Sequence, residues 1–170
     1  MEDIHKILGQ IKRSKNTLYI LCGFPYSGKS YIAKELVGET DITLVSIDDI
    51  FHSKGFSWDD DRLPDAEEWK DIFDISYEQS MDALKQGKNV LYDSTNHTKA
   101  SRDDLRKVAQ SVNAETAVIY IQTPVETIWK RWEENTKTKE RSVVNKELVQ
   151  MTIDTFEIPE AGENVIIIKN

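Results

Sequence analysis

The chain has 170 residues, 39% of them hydrophobic and 31% charged. That describes a globular chain long enough to bury a core, most simply as one domain spanning 1–170, and excludes a disordered or fibrous one. Its net charge of −8 and pI near 5.0 argue against broad, non-specific nucleic-acid binding. Cys22 is the only cysteine, so no internal disulfide forms, and a reducing, cytoplasmic setting is expected. The first residues, Met1 to Lys6, lack the apolar core of a secretion signal, and the longest apolar runs, Ala117–Ile121 and Val165–Ile168, are too short for a membrane span.

Taken in order, residues 2–13 read as an amphipathic helix with Ile4, Ile7, Leu8 and Ile11 on one face. A first strand is expected at 17–22, then a helix from Lys29 to about Val37 stopped by Gly38. Thr43–Ile47 alternates as a second strand ending in Asp48 and Asp49, followed by a loop with Gly55 and Pro64. A long helix over about 65–86 closes on Gly87, and a third strand, 89–92, ends in Asp93. Then come a helix over 99–112, a fourth strand over 115–121 and a helix opened by Pro124 and running to about Glu134. A polar, basic segment at 135–142, a helix over 146–156 and a last strand at 165–169 complete the chain. Strands alternating with helices at this spacing predict an α/β, doubly wound domain: a five-stranded, mainly parallel sheet flanked by helices.

The most informative stretch is Gly23-Phe24-Pro25-Tyr26-Ser27-Gly28-Lys29-Ser30, entered from an apolar strand and followed by a helix. The spacing is that of a phosphate-binding loop (Walker A). Gly23 and Gly28 let the backbone curl until successive amides face one anion, with the helix N-terminus behind them. Lys29 is placed to reach the β- and γ-phosphates, and the Ser30 hydroxyl to ligate Mg²⁺. Residues 23–31, from Gly23 through Tyr31, are therefore the predicted nucleotide-binding segment, with Mg²⁺ as companion ion. Cys22, at the end of the entering strand, reads as a small buried side chain rather than a nucleophile.

Other polar groups fall where parallel sheets hold ligands, beyond the carboxyl ends of strands. Asp48 and Asp49 follow strand two, Asp93-Ser94-Thr95-Asn96 strand three and Gln122-Thr123 strand four. Asp93 suits the Walker-B acid that holds Mg²⁺ through water, so Ser30 and Asp93 are the metal candidates. Asp48 is assigned as general base and acceptor-orienting group, Asp49 as a helix N-terminal acid. In the basic segment, Arg141 and Arg131 are the candidates for bidentate phosphate contact, Arg141 closing as a lid over about 134–143; Lys137 and Lys139 are expected to face solvent. Trp129 and Trp132 read as packing residues, and His5, His52 and His97 show no metal spacing. Residues 57–74 hold eight acids against Arg62 and Lys70, a local charge of −6, which reads as a solvated face or as a cleft wall that repels polyanions.

With these residues in place the chain resembles the P-loop kinases grouped around the 5′-kinase domain of phage polynucleotide kinase, with zeta-toxin-like and small-metabolite phosphotransferases nearby. The resemblance rests on residues 23–30, on Ser46-Ile47-Asp48-Asp49, and on Val90 to Asn96 with Arg102 following. It continues in Arg141-Ser142-Val143-Val144 and Phe156-Glu157-Ile158-Pro159. It implies a three-layer α/β P-loop NTPase fold with a helical lid, an ATP- and Mg²⁺-dependent kinase phosphorylating a hydroxyl, a base at Asp48 and a phosphate contact at Arg141. Phe51 stands where polynucleotide kinases carry an arginine that grips a substrate phosphate, which turns the expectation toward a small-molecule or nucleoside-type acceptor. A polynucleotide or RNA-linked 5′-hydroxyl kinase, and a nucleotide-switched binding protein, are the alternatives; extended nucleic acid is disfavoured and no membrane partner is expected.

Overall fold

The apolar runs form five strands: β1 (Thr17–Cys22), β2 (Thr43–Ser46), β3 (Val90–Asp93), β4 (Glu115–Gln122) and β5 (Val165–Lys169). The computed structural model describes residues 2–59 and 62–170; Met1 and two of the eight acids counted above, Asp60 and Asp61, lie outside the described residues. The strands pair in the order β2-β3-β1-β4-β5, and every ladder is parallel. β1 is central, with Leu18–Ile20 opposite Val90–Tyr92 on one side and Thr17–Cys22 opposite Glu115–Tyr120 on the other.

Parallel pairing demands crossovers, and these place helices on both faces. Alternate residues of each strand point to opposite faces. Tyr19, Leu21, Leu91, Ile119 and Ile121 pack with Ile7 and Ile11 of α1 (Glu2–Arg13) and with Ile32 and Leu36 of α2 (Lys29–Glu39). Leu18, Ile20, Val90, Tyr92 and Val118 pack under α3 (Ile47–Ser53), α4 (Ala66–Lys85) and α5 (Lys99–Ser111). Each such aliphatic side chain contributes about 1.5–3 kcal/mol by leaving water. The result is three layers. A smaller cluster joins the phosphate loop, through Phe24 and Tyr26, to Ile128 of α6 (Val125–Thr138) and Val149 of α7 (Lys146–Asp154).

Helix α4 starts as expected: Asp65 accepts from the amides of Glu67 and Glu68, and the Glu68 carboxylate accepts from the Asp65 amide. Gly87, with φ of 76°, follows its end.

Three local expectations give way. The second strand stops at Ser46, and Ile47–Ser53 is a helix rather than loop. The Ser46 hydroxyl accepts from the Asp49 amide (3.2 Å), Asp48 and Asp49 occupy the first turn where carboxylates are favoured, and Ile50 and Phe51 are buried beneath. Gly38 does not stop α2, which continues to Glu39. Residues 134–138, assigned above to the lid, continue α6; the irregular part begins at Lys139, which caps the helix in the left-handed conformation (φ 51°). Among the described residues no helix is long and apolar enough to cross a membrane.

Candidate functional site

The phosphate-loop segment leaves β1 at Cys22 and is anchored to the neighbouring strand end by the Gly23 amide, which donates to Thr95 O (3.1 Å). A Cβ at Gly23 would lie 2.9 Å from Ser27 Oγ and 3.1 Å from Ile121 O, so a side chain there would open the curl. Gly28 sits at the N-cap of α2 with φ of 96°, and Tyr26 is also left-handed (φ 65°). The Ser27 hydroxyl is buried without a partner, beside the inner side of Gly23. Lys29 is buried; its Nζ donates to Gly23 O (3.0 Å) and Phe24 O (2.7 Å). Burial lowers its pKa, while the carboxylates of Asp93 and Asp48 work the other way. Ser30 is exposed at the start of α2, and Tyr31, 62% exposed, faces solvent.

Asp93 ends β3 beside Ser46 of β2. Burial pushes its carboxyl up to about 6, with Lys29 pulling it down and Asp48 and Asp49 pushing it further up. Asp48 is exposed, and its Oδ1 accepts from the Trp58 indole (3.3 Å). Trp58 in turn stacks on buried Phe51 at 4.5 Å and 18°. Lys29, Asp93, Asp48 and Arg141 thus sit within one electrostatic neighbourhood. Asp49 shares it and also occupies the helix-terminal position expected of it.

The segment after α6 lies across the phosphate loop. Buried Asn135 holds both backbone polar groups of Arg141: Nδ2 donates to Arg141 O (3.1 Å) and Oδ1 accepts from Arg141 N (3.3 Å). The Arg141 guanidinium rests 4.3 Å from the Tyr26 ring centroid. Arg131 donates to Tyr26 O (3.1 Å), and the Val143 amide donates to Asp59 Oδ1 (3.0 Å). Arg131 and Arg141 line a cleft of about 460 Å³. Lys137 and Lys139 are exposed, and Trp129 and Trp132 pack edge-to-face at 5.8 Å against the cluster around Phe24 and Tyr26.

Several residues carry more structure than sequence reasoning gave them. Arg102, fully buried, donates from Nε and Nη2 to Glu163 (2.8 and 3.1 Å) and from Nη1 to Asn96 O (3.0 Å). Asn96 donates onward to Leu21 O (2.7 Å), so the Asp93–Asn96 segment is tied to the end of β1. Burial opposes ionisation of Glu163, yet hydrogen bonds from Arg102, the Glu160 backbone and Arg106 hold it down at about 2. The Phe156–Pro159 segment docks alongside: the Phe156 ring packs on Phe24 at 4.4 Å, and the Glu157 carboxylate accepts from the Lys99 amide (2.6 Å) at the start of α5. Asn170 donates to Ser27 O (2.6 Å), covering the loop from the β5 side. Of these, Asn96, Arg102 and the Phe156–Pro159 run had a sequence signal, through the resemblance. The thiol of Cys22 is pushed up to about 11 by burial, which keeps it protonated. His97 is half-buried with its pKa lowered by burial, and among the described residues no three His, Cys, Asp or Glu side chains converge as a metal site.

A phosphate-loop segment at the end of a central parallel strand, within three layers, is the fold of the P-loop nucleoside triphosphatases. A family model described as "Chromatin associated protein KTI12" matches residues 17–164, and the chain belongs to the KTI12 family. Solved structures share the fold. Kti12 of Chaetomium thermophilum, in complex with ADP-AlF3, is 16% identical with a TM-score of 0.62, over 89% of this chain and 88% of that one. A gluconokinase from Sinorhizobium meliloti 1021 is 16% identical with a TM-score of 0.63, over 92% and 84%. The Pnkp1/Rnl/Hen1 complex is 28% identical with a TM-score of 0.61, over 70% of this chain but 40% of that one. A search of curated proteins finds no match. The family model and these structures support the P-loop kinase group of the resemblance, without selecting the 5′-kinase and zeta-toxin subgroup within it.

Proposed function

We propose that this chain binds ATP at residues 23–31 and transfers its γ-phosphate to a hydroxyl of a small-molecule or nucleoside-type acceptor. The observation that carries the reading is the cradle itself: glycine-dependent curvature, an orphaned Ser27 hydroxyl, a buried Lys29 ammonium, and a guanidinium opposite. These residues fit a polyphosphate, whose oxygens would take over the donors that Lys29 now spends on Gly23 O and Phe24 O. Ser30 and Asp93 would hold Mg²⁺ together with the phosphates, the ion supplying neutralisation of their charge. Asp48, exposed at the helix start and oriented by the Trp58 indole, accepts the acceptor's hydroxyl proton and aligns its oxygen. Arg141 counters charge spreading over the γ-phosphoryl oxygens and, with its segment, keeps water out. Phe51 is buried in an aromatic stack with Trp58 and Trp69, so its position offers no cation to a second phosphate. That favours an uncharged or cationic acceptor over a polynucleotide end.

A second reading, a nucleotide-switched binding protein in which hydrolysis alone changes partner affinity, is favoured by membership of the KTI12 family. Calorimetry with ATP and GTP plus Mg²⁺, followed by ADP release in the presence of pooled nucleosides, sugars, aminoglycosides and RNA 5′-ends, separates the two. Acceptor-dependent release supports transfer; release indifferent to every acceptor supports the switch. No nucleotide binding at all overturns both.

A further inference from the structure

The third variable position of the phosphate loop is occupied by a side chain that the loop's own task does not require. Tyr26 is 6% exposed and left-handed, and it reaches away from the loop into the segment that follows α6. Its hydroxyl accepts from the Val144 amide (3.1 Å), and its carbonyl accepts from Arg131 (3.1 Å). Its ring carries the Arg141 guanidinium at 4.3 Å. Val144 is held from its other side by the Trp132 indole, which donates to its carbonyl (2.8 Å). Among the described residues, the hydrogen bonds that tie the loop to Arg131 and to the arginine-bearing segment run through Tyr26, while Asn135 and Asp59 hold the segment from its other sides.

We propose that Tyr26 is a positioning residue: it seats Arg141 over the phosphates by presenting its ring face to the guanidinium and its hydroxyl to the backbone three residues further on. The assignment rests on the reading of Arg141 as the group that stabilises transferring phosphoryl charge. An exposed arginine has many rotamers to lose, and a ring that already holds it lowers the entropy cost of organising the site. Because the seat is part of the phosphate loop, a shift of the loop onto its ligand moves the arginine with it.

The test is a double-mutant cycle on Mg²⁺-ATP hydrolysis, measured as phosphate release. Arg141→Ala is expected to slow kcat more than tenfold. Tyr26→Leu is expected to do the same, and adding Tyr26→Leu to Arg141→Ala is expected to slow it no further. Tyr26→Phe keeps the ring and loses only the hydroxyl, so its defect should stay within threefold and also vanish in the Arg141→Ala background. The ring-current displacement of the Arg141 side-chain proton signals should persist in Tyr26→Phe and disappear in Tyr26→Leu. Arg141→Ala at the parent rate would overturn the underlying reading of Arg141. A slow Arg141→Ala whose defect multiplies with that of Tyr26 would overturn only the positioning role. Should Tyr26→Leu fail to fold, the Tyr26→Phe cycle and its spectrum decide in the same way.

Discussion

Asp93→Asn should make the ligand-free protein more stable at alkaline pH and simultaneously blind it to Mg²⁺. Burial, with Asp48 and Asp49 adding to it, raises the Asp93 carboxyl from 3.8 to about 6 even though Lys29 pulls the other way. A group raised on folding favours the fold in its protonated form. That contribution is complete below pH 3.8 and is lost as pH rises through about 6. At about 1.4 kcal/mol per pH unit the penalty at pH 8 is about 3 kcal/mol, and partial exposure of the carboxylate reduces it to about 2. For a chain of this size about 2 kcal/mol corresponds to roughly 4–8 °C in Tm. Thermal melts of parent and Asp93→Asn protein at pH 4, 6 and 8 test this: coincident curves at pH 4, with the variant melting higher at pH 8. With ATP present, Mg²⁺ should raise the parent's Tm and leave the variant's unchanged. A variant that melts at or below the parent at pH 8, with its Mg²⁺ response intact, would refute both the electrostatic argument and the metal assignment.

Lys29→Met removes a buried ammonium whose pKa is lowered by burial, so the ligand-free Tm should hold or rise while ATP turnover, followed as ADP release, falls at least a hundredfold. Asp48→Asn should bind ATP within threefold of the parent by calorimetry and lose acceptor phosphorylation at least a hundredfold; turnover at the parent rate would remove Asp48 from the base role. Glu163→Gln leaves Arg102 buried without its counter-charge and should cost about 3–5 kcal/mol, read as a Tm lowered by about 10 °C.

What the sequence could disclose was what is encoded locally. The curl from Gly23 to Ser30 is legible because four residues, Gly23, Gly28, Lys29 and Ser30, specify it within eight consecutive positions, and the acids at strand ends because β2 and β3 run parallel and finish level, Ser46 beside Asp93. Helix α3 was legible only at Asp49, read as a helix N-terminal acid: Ser46 followed by Asp48 and Asp49 is a cap followed by first-turn acids, and the alternation of Thr43 to Ile47 masked the cap. The partnership of Arg102 with Glu163 spans 61 residues and leaves no local pattern at all. Tyr26 was invisible for a different reason. A variable position in a loop motif is defined by having no required side chain, so its contacts 105 to 118 residues away belong to tertiary packing alone.

The two halves of the site are built on different physical terms, and this bears on what the acceptor can be. The phosphate side gathers Lys29, Arg131 and Arg141 around a glycine-shaped turn. Across from it, Asp48 hangs on the indole of Trp58, above a run of rings in which Phe51 meets Trp58 at 4.5 Å and Trp69 at 5.6 Å. Arg62, whose guanidinium lies 5.2 Å from the Phe56 ring that stacks on Phe51, is paired with Glu68. On the transfer reading, an acceptor approaching Asp48 from this side meets the aromatic stack and the Asp48 and Asp49 carboxylates, with Lys29 and Arg141 on the phosphate side. A polyanion would lose hydration there beside the like charges of Asp48 and Asp49, whereas a neutral or cationic alcohol loses little and gains the Asp48 carboxylate as a hydrogen-bond acceptor. On this ground ADP release should respond to aminoglycosides or neutral nucleosides before RNA 5′-ends, and an RNA end preferred over both would reverse the argument.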